Sequence, residues 1–249
     1  MSLFLLRLQK LATIVRNPGL MKPFVFLGVV AAVEHLKVLE HIRAKTIVDV
    51  GANRGQFALA ASLVNPETVF SFEPLPLPAG VYRKIFKGKA NFRVFQAAIS
   101  CDFGVKQMNV SGRDDSSSLL TISALQDQLF PGTRKSGTLE IKAAPLNEFL
   151  NTKDISHPAL LKIDVQGYEM QVLEGSESLL PYFSFIYIEC SFLELYEEQS
   201  LAADVIKKMQ VEGFDLVGIY NVSYDKSGIA IQGDFLFEAN IKRKEGSRT

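Results

Sequence analysis

The chain has 249 residues, with 27 basic and 27 acidic side chains and a formal net charge of zero. Neutrality argues against bulk electrostatic attraction to nucleic acid, which needs clustered basic charge. Apolar residues make up 47% and charged residues 22%, a globular balance in a chain long enough to bury one large core. Cys101 and Cys190 lie far apart and outside any C-x-x-C spacing, so neither a zinc site nor a redox pair is indicated. Two buried thiols are expected rather than a disulfide.

Residues 2–16 crowd leucines on one side of a helix, with Arg7, Lys10 and Arg16 elsewhere. Such a helix either caps the domain's own core or lies on a membrane surface or a partner. Arg7 and Lys10 follow the apolar stretch instead of preceding it, unlike a signal peptide. The run 24–33 is about half the roughly twenty residues a membrane span needs. Met1-Ser2 lacks the glycine required for myristoylation. A cytoplasmic protein is expected, with peripheral membrane contact or a homodimer interface open to the N-terminal helices. Asn17-Pro18-Gly19 ends the first helix, and a second is predicted over about 23–42.

An alternation then begins. Strand 46–50 (TIVDV) leads to helix 56–64, strand 68–74 to helix 79–87, and strand 92–100 follows. Residues 105–111 and 139–146 are less regular, around a polar loop GRDDSSS at 112–118. Strand 159–165 precedes helix 168–180, strand 183–190 precedes helix 200–213, and strands 214–220 and 233–240 close the chain. Alternating strands and helices call for a parallel sheet covered on both faces. The final pair, joined by a short polar loop, forms a hairpin and so places one antiparallel strand in that sheet. No repeat or linker divides 46–240; residues 1–45 read as a helical extension and 241–249 as a flexible tail.

In open parallel sheets, ligands bind beyond the carboxyl ends of the strands. The turn DVGANRG stands at such an end. Asn53 occupies the place of the second glycine of a dinucleotide motif, which counts against a pyrophosphate. No G-K-[ST] follows, which counts against a triphosphate. Glu73, 22 residues beyond Gly51, ends the second strand, where a carboxylate can accept hydrogen bonds from both ribose hydroxyls. A pocket that holds an adenosine ribose without a pyrophosphate suits S-adenosylmethionine, with Gly51 and its neighbours against the methionine part.

The segments VDVGANRGQF, FSFEP, LKIDVQGYEMQVLEG and IYIEC, in this order, resemble the FkbM family of S-adenosylmethionine-dependent methyltransferases over residues 46–240. The resemblance implies an α/β Rossmann-like class I methyltransferase fold: seven mostly parallel strands with the last one antiparallel, helices on both faces, and here an N-terminal helical extension. It also implies an O-methyltransferase acting on a hydroxyl of a sugar, glycan or polyketide-like small molecule. The expected donor-binding set is Asp49, Gly51, Ala52, Asn53, Gly55, Glu73 and Ala98. The family usually has Glu where this chain has Gln166, which cannot act as a general base.

Methyl transfer to a hydroxyl needs the oxygen positioned in line and its proton removed. His35 and His41 precede the first strand, and His157 stands at the amino end of its strand, so no histidine is expected at the site. Asp164 and Glu189 near strand carboxyl ends, and Glu169 at the start of the following helix, can converge over the pocket and are the candidate catalytic residues. Lys162 shares the Asp164 face and is expected to pair with an acid. Two acids and an amide could hold magnesium, but no metal-ligand spacing calls for one, and no metal is expected. Asp114, Asp115, Ser116, Ser117 and Ser118 suit either a polyhydroxylated acceptor or a solvated loop, and residues 130–132 suit a lid. A nicotinamide-dependent oxidoreductase or epimerase is the alternative enzyme, disfavoured by Asn53 and by the lack of Tyr-x-x-x-Lys. A non-catalytic adenosine-binding domain is the alternative outside enzymes. Nucleic-acid methylation is disfavoured by the neutral charge and the absence of tryptophan.

Overall fold

Four apolar-rich strands buried on both faces, and a fifth half-buried at the sheet edge, carry the middle of the molecule. In the computed structural model, which describes residues 3–240, β1 (Thr46–Val50), β2 (Thr68–Phe72), β3 (Phe92–Phe95), β7 (Ala159–Ile163) and β8 (Phe185–Ser191) run parallel. β10 (Ala230–Ala239) enters antiparallel between β8 and β9 (Phe214–Tyr224), giving the order β3-β2-β1-β7-β8-β10-β9. This is the expected Rossmann-like methyltransferase sheet with its last strand reversed.

Side-chain alternation divides the core in two. Val48, Val50, Phe72, Leu161, Ile163, Ile186 and Ile188 face one side, against α7 (Glu169–Glu174) and α8 (Ala202–Val211). Ile47, Val69 and Leu160 face the other, against α3 (Leu36–Ile42), α4 (Gln56–Ala61) and α5 (Pro76–Ile85). Between β3 and β7 the chain builds a second sheet, β4 (Ala98–Ile99), β6 (Lys135–Ala144) and β5 (Gly104–Ser111), with α6 (Ala124–Leu129) in the β5–β6 connection. The predicted strand 92–100 is therefore two strands serving different sheets.

The N-terminal extension differs most from expectation. The predicted helix 23–42 is interrupted. α1 (Leu3–Arg16) is followed by α2 (Met21–Leu27), which stops at Gly28 in the left-handed region, φ 64°. An irregular run and a single 3-10 turn, Val33–His35, precede α3. Ile14 and Leu20 are buried in the domain's core, so the extension caps it. Leu8, Leu11, Val15, Val25 and Phe26 remain exposed on the outside. Among the described residues no helix is long and apolar enough to cross a membrane. The predicted helix 168–180 shortens to α7 plus turns. Cys190 is buried but Cys101 is exposed in the turn before β5, against the expectation of two buried thiols. The predicted tail lies outside the described residues.

Candidate active site

Strand register sets two polar rows at the carboxyl end of the sheet. Ser71, Asp49, Lys162 and Tyr187 are cross-strand neighbours in the first. Two residues further along, on the same face, come Glu73, Gly51, Asp164 and Glu189, and Asp234 stands opposite Glu189 across the antiparallel pair. Above these rows lies a cavity of about 470 Å³, within the usual range of roughly 300–1,000 Å³ for small-ligand sites. Gly51, Ala52, Asn53, Glu73, Ala98 and Asp164 line it, as does Gln166.

The first turn spends its own amides. Gly51 and Ala52 N–H both donate to Phe72 O at 3.0 Å, and Gly55 N–H to Ala52 O at 2.8 Å. Asn53 N–H donates to Glu73 Oε2 at 2.8 Å, and Arg54 N–H to Asn53 Oδ1 at 2.6 Å. No N–H from 51 to 55 is left for a phosphate. Gly51, at φ 84°, is required by its neighbour strand: a Cβ there would lie 1.8 Å from Asp164 O. Glu73 accepts a second backbone bond from Leu75 N–H at 2.8 Å. Burial pushes its carboxyl up to about 7, against the pull of those two N–H groups.

Lys162 is the buried cation of the site. Its Nζ lies 3.2 Å from Asp49 Oδ1 and 3.3 Å from Asp164 Oδ2, and donates to Gly51 O at 3.3 Å. Burial alone would lower its pKa, but Asp164 and Asp49 raise it above the usual lysine value. Asp49 is fully buried beneath the cavity; burial raises its carboxyl against the attraction of Lys162. Asp164 is half-buried, its side chain 33% exposed, and Lys162 and the Gln166 amide outweigh the cost of burial and hold its carboxyl below the usual range.

Gln166 organises the neighbouring acids. Its Nε2 donates to Asp164 Oδ1 and to Glu189 Oε2, both at 2.9 Å, and its Oε1 accepts from Tyr196 O–H at 2.8 Å. A glutamate there would put a third carboxylate between two others; the amide supplies donors instead. Gln232 Nε2 donates to the other Glu189 oxygen at 2.6 Å. Burial, then Asp164 and Asp234, push Glu189 well above the usual carboxylate range.

Four expected site residues stay off the cavity wall. Asp49 faces Lys162 from below. Gly55, at φ 92°, leaves room for the Tyr82 ring, which a Cβ would meet at 2.9 Å. Glu169 turns back to accept Val165 N–H at 3.2 Å and Gly167 N–H at 3.0 Å, and burial raises it to about 7. Glu189 sits behind Gln166. Only Asp164 of the three expected catalytic acids lines the cavity.

The polar loop does reach the site. Arg113, Asp114, Asp115 and Ser117 line the cavity, and Arg54 clamps Asp114 Oδ2 through Nε at 2.8 Å and Nη2 at 2.6 Å. Ser118 is structural, its O–H donating to Gln166 O at 2.6 Å. Residues 130–132 are not part of the cavity wall.

The N-terminal extension closes the remaining side with Lys10, Glu34 and His35. Lys10 Nζ pairs with Glu34 Oε1 at 3.2 Å. The expectation that no histidine reaches the site fails at His35, which the 3-10 turn before α3 carries onto the wall. Asp234 was equally hidden: it lies in the amino half of β10, and only strand reversal brings it to this end. His41 is exposed, and His157 stands at the far end, 3.2 Å from Ser184 Oγ.

Comparison with known proteins gives this geometry a lineage. The model of the Methyltransferase FkbM domain matches residues 49–216. The 2-O-methyltransferase NoeI of Sinorhizobium fredii is 29% identical over 61% of this chain and 66% of its own length. The 31-O-demethyl-FK506 methyltransferase FkbM of Streptomyces tacrolimicus is 28% identical over 69% and 73%, respectively. The hexuronic acid methyltransferase AglP of Haloferax volcanii is 26% identical over 67% of each chain. The chain spans about two thirds to three quarters of these relatives. With two thirds of its length inside the matched domain, the chain belongs to the FkbM methyltransferase family and is an S-adenosylmethionine-dependent methyltransferase.

Proposed function

We propose that this chain methylates a hydroxyl of a sugar, glycan or polyketide-like acceptor. One observation carries the donor side: every amide of the first turn is bonded within the protein, while the buried Glu73 carboxylate lines the cavity. A dinucleotide needs free amides for its pyrophosphate; an adenosine ribose needs only the carboxylate. The residues present fit S-adenosylmethionine. Glu73 would accept from the ribose hydroxyls, and Leu75, Ala98 and Ile99 offer apolar surface for the base. Asp164 supplies negative charge on the cavity wall. When bound, the donor supplies a methyl group on a positively charged sulfur, so the protein has only to place the acceptor oxygen and take its proton.

The acceptor side is polar. Lys10, Glu34, Arg113, Asp114, Asp115 and Gln166 surround it with donors and acceptors, as a polyhydroxylated molecule requires. Two of the relatives are named for transfer to oxygen and the third for a hexuronic acid. The test is incubation of purified protein with methyl-labelled S-adenosylmethionine and a panel of methyl glycosides, methyl glucuronide and a hydroxylated macrolide. Mass spectrometry and NMR then locate the transferred methyl. A methyl ether is the expected product. Transfer to nitrogen or carbon, or failure to bind the donor, would overturn the proposal.

A further inference from the structure

Removing the hydroxyl proton requires a base on the cavity wall with a lone pair to spare. The carboxylates are committed elsewhere. Asp164 is bonded on one oxygen to Lys162 and on the other to the Gln166 amide. Glu73 holds two backbone amides and is assigned above to the donor's ribose hydroxyls, and Glu189 accepts an amide on each oxygen and lies off the wall. Glu34 is paired with Lys10 through Oε1, and its Oε2, though without a partner among the described residues, is buried from solvent; Asp114 is held by Arg54, and Asp115 by Arg113 and Ser116.

His35 is differently placed. Its ring packs edge-on between Phe57 and Tyr187, with centroids 5.4 and 5.6 Å away. Nδ1 lies 3.1 Å from Tyr187 Oη, and Tyr187 O–H donates to Asp234 Oδ2 at 3.2 Å. With the tyrosine proton directed to Asp234, the tyrosine oxygen is left to accept from Nδ1–H; the Asn221 amide nitrogen, 3.4 Å from Nδ1, gives its shorter hydrogen bond, 2.8 Å, to Asp234. Asp234 Oδ2 is itself 3.5 Å from Nδ1. Among the described residues Nε2 has no protein partner, and the residue lines the cavity. A histidine whose Nδ1–H is held by a carboxylate system presents Nε2 as a proton acceptor.

We propose that His35 is the general base of the methyl transfer, with Tyr187 and Asp234 as positioning residues. The inference rests on the hydroxyl-methylation reading above. In the step, His35 Nε2 takes the hydroxyl proton as the oxygen–methyl bond forms. The sulfur–methyl bond breaks with its electron pair staying on sulfur, which leaves neutral S-adenosylhomocysteine. The imidazolium is stabilised by Asp234 until its proton passes to solvent. His35 and Asp234 lie outside the matched domain at residues 49–216, and Tyr187 lies inside it. The base is thus assembled from the N-terminal extension, β8 and the closing hairpin. The charged groups that face His35 are Asp234 from β10, Asp49 and Asp164 across the polar rows, with Lys162 between them, and the adjoining Glu34 with Lys10.

The test uses the full chain labelled with ¹⁵N-histidine. Its three histidines are assigned with His35→Gln, His41→Gln and His157→Gln. Calorimetry first establishes binding of S-adenosylmethionine and S-adenosylhomocysteine. Two-bond ¹H–¹⁵N spectra then report the His35 tautomer and the Nε2 resonance in each complex. The Nδ1–H tautomer is expected in both, with the Nε2 resonance shifted between the cationic-donor and neutral-product complexes, because Nε2 faces the cavity where the methyl is transferred. Tyr187→Phe should convert the spectrum to a tautomer mixture, which a purely structural tyrosine would not do. If both ligands bind but His35 is the Nε2–H tautomer, or its Nε2 resonance is the same in both complexes, the base assignment is overturned and methyl transfer is left standing. If neither ligand binds, the proposed function falls and the base with it.

Discussion

Replacing Glu73 with Gln tests the donor site at its most heavily used side chain. The two carboxylate oxygens each accept one backbone N–H at 2.8 Å, and the residue lines the cavity. Glutamine keeps one acceptor oxygen but turns an NH₂ group toward a backbone donor and toward one ribose hydroxyl. A hydrogen bond to a charged group contributes about 1.5–3 kcal/mol, and a neutral one about half as much. Losing one such bond and neutralising the other weakens donor binding by about 2–4 kcal/mol, roughly 30- to 700-fold in Kd. The pH dependence is the sharper signature. With the free carboxyl at about 7, Glu73 is about nine-tenths ionised at pH 8 but only about one-tenth at pH 6. If the ionised form binds the ribose, affinity falls about tenfold between those pH values. Calorimetric titration of parent and Glu73→Gln with S-adenosylmethionine at both values cancels any titration of the ligand itself. Equal affinities for the two proteins, or the same pH dependence in both, would refute the reasoning.

Gly51→Ala should lower Tm and abolish donor binding, because the new Cβ adds a 1.8 Å clash with Asp164 O to the roughly 1–2 kcal/mol cost of a left-handed residue. Gly28→Ala, also left-handed but with nothing within 4 Å, should show the backbone cost alone; equal losses would contradict the strand-packing account. Lys162→Met strands Asp49 and Asp164 without their cation and should cost about 3–5 kcal/mol by urea unfolding; a loss under about 1 kcal/mol would mean that the ion pairs carry little. Glu169→Gln tests burial against charge. Its folded pKa, about 7, is raised from 4.5, so the protonated form is favoured by folding. That contribution is full below the unfolded pKa and is lost as pH rises through 7. The variant's carbonyl oxygen still accepts from Val165 and Gly167, so it should gain about 2–3 kcal/mol on the parent between pH 5 and pH 8. A pH-independent difference would show that the buried charge is not the cause.

Local sequence determined the sheet and half of the site. TIVDV, ALLKI and FIYIE are apolar runs that can only be buried strands, and turns at their carboxyl ends put Gly51, Glu73 and Asp164 on one rim. Period-two alternation put Lys162 and Asp164 on one face, and the structure pairs them. Other features depended on contacts no local pattern records. Glu169 has the spacing of a catalytic acid, yet its oxygen is captured by the backbone of its own loop. Gly51 and Gly55 look like ligand glycines, yet a neighbouring strand and the Tyr82 ring require them. Gln166 looks like the loss of a charge, but it donates to two carboxylates that would otherwise repel.

His35 and Asp234 show the limit most plainly. They are separated by nearly the whole chain, one in an irregular turn and the other in the amino half of a strand. Sequence determines which residues alternate along a strand, because side-chain direction is a property of the local backbone. Only the tertiary structure decides which ends of different strands meet. Reversal of β10 brings its amino half to the carboxyl ends of its neighbours, and packing of the N-terminal extension brings a histidine to face it.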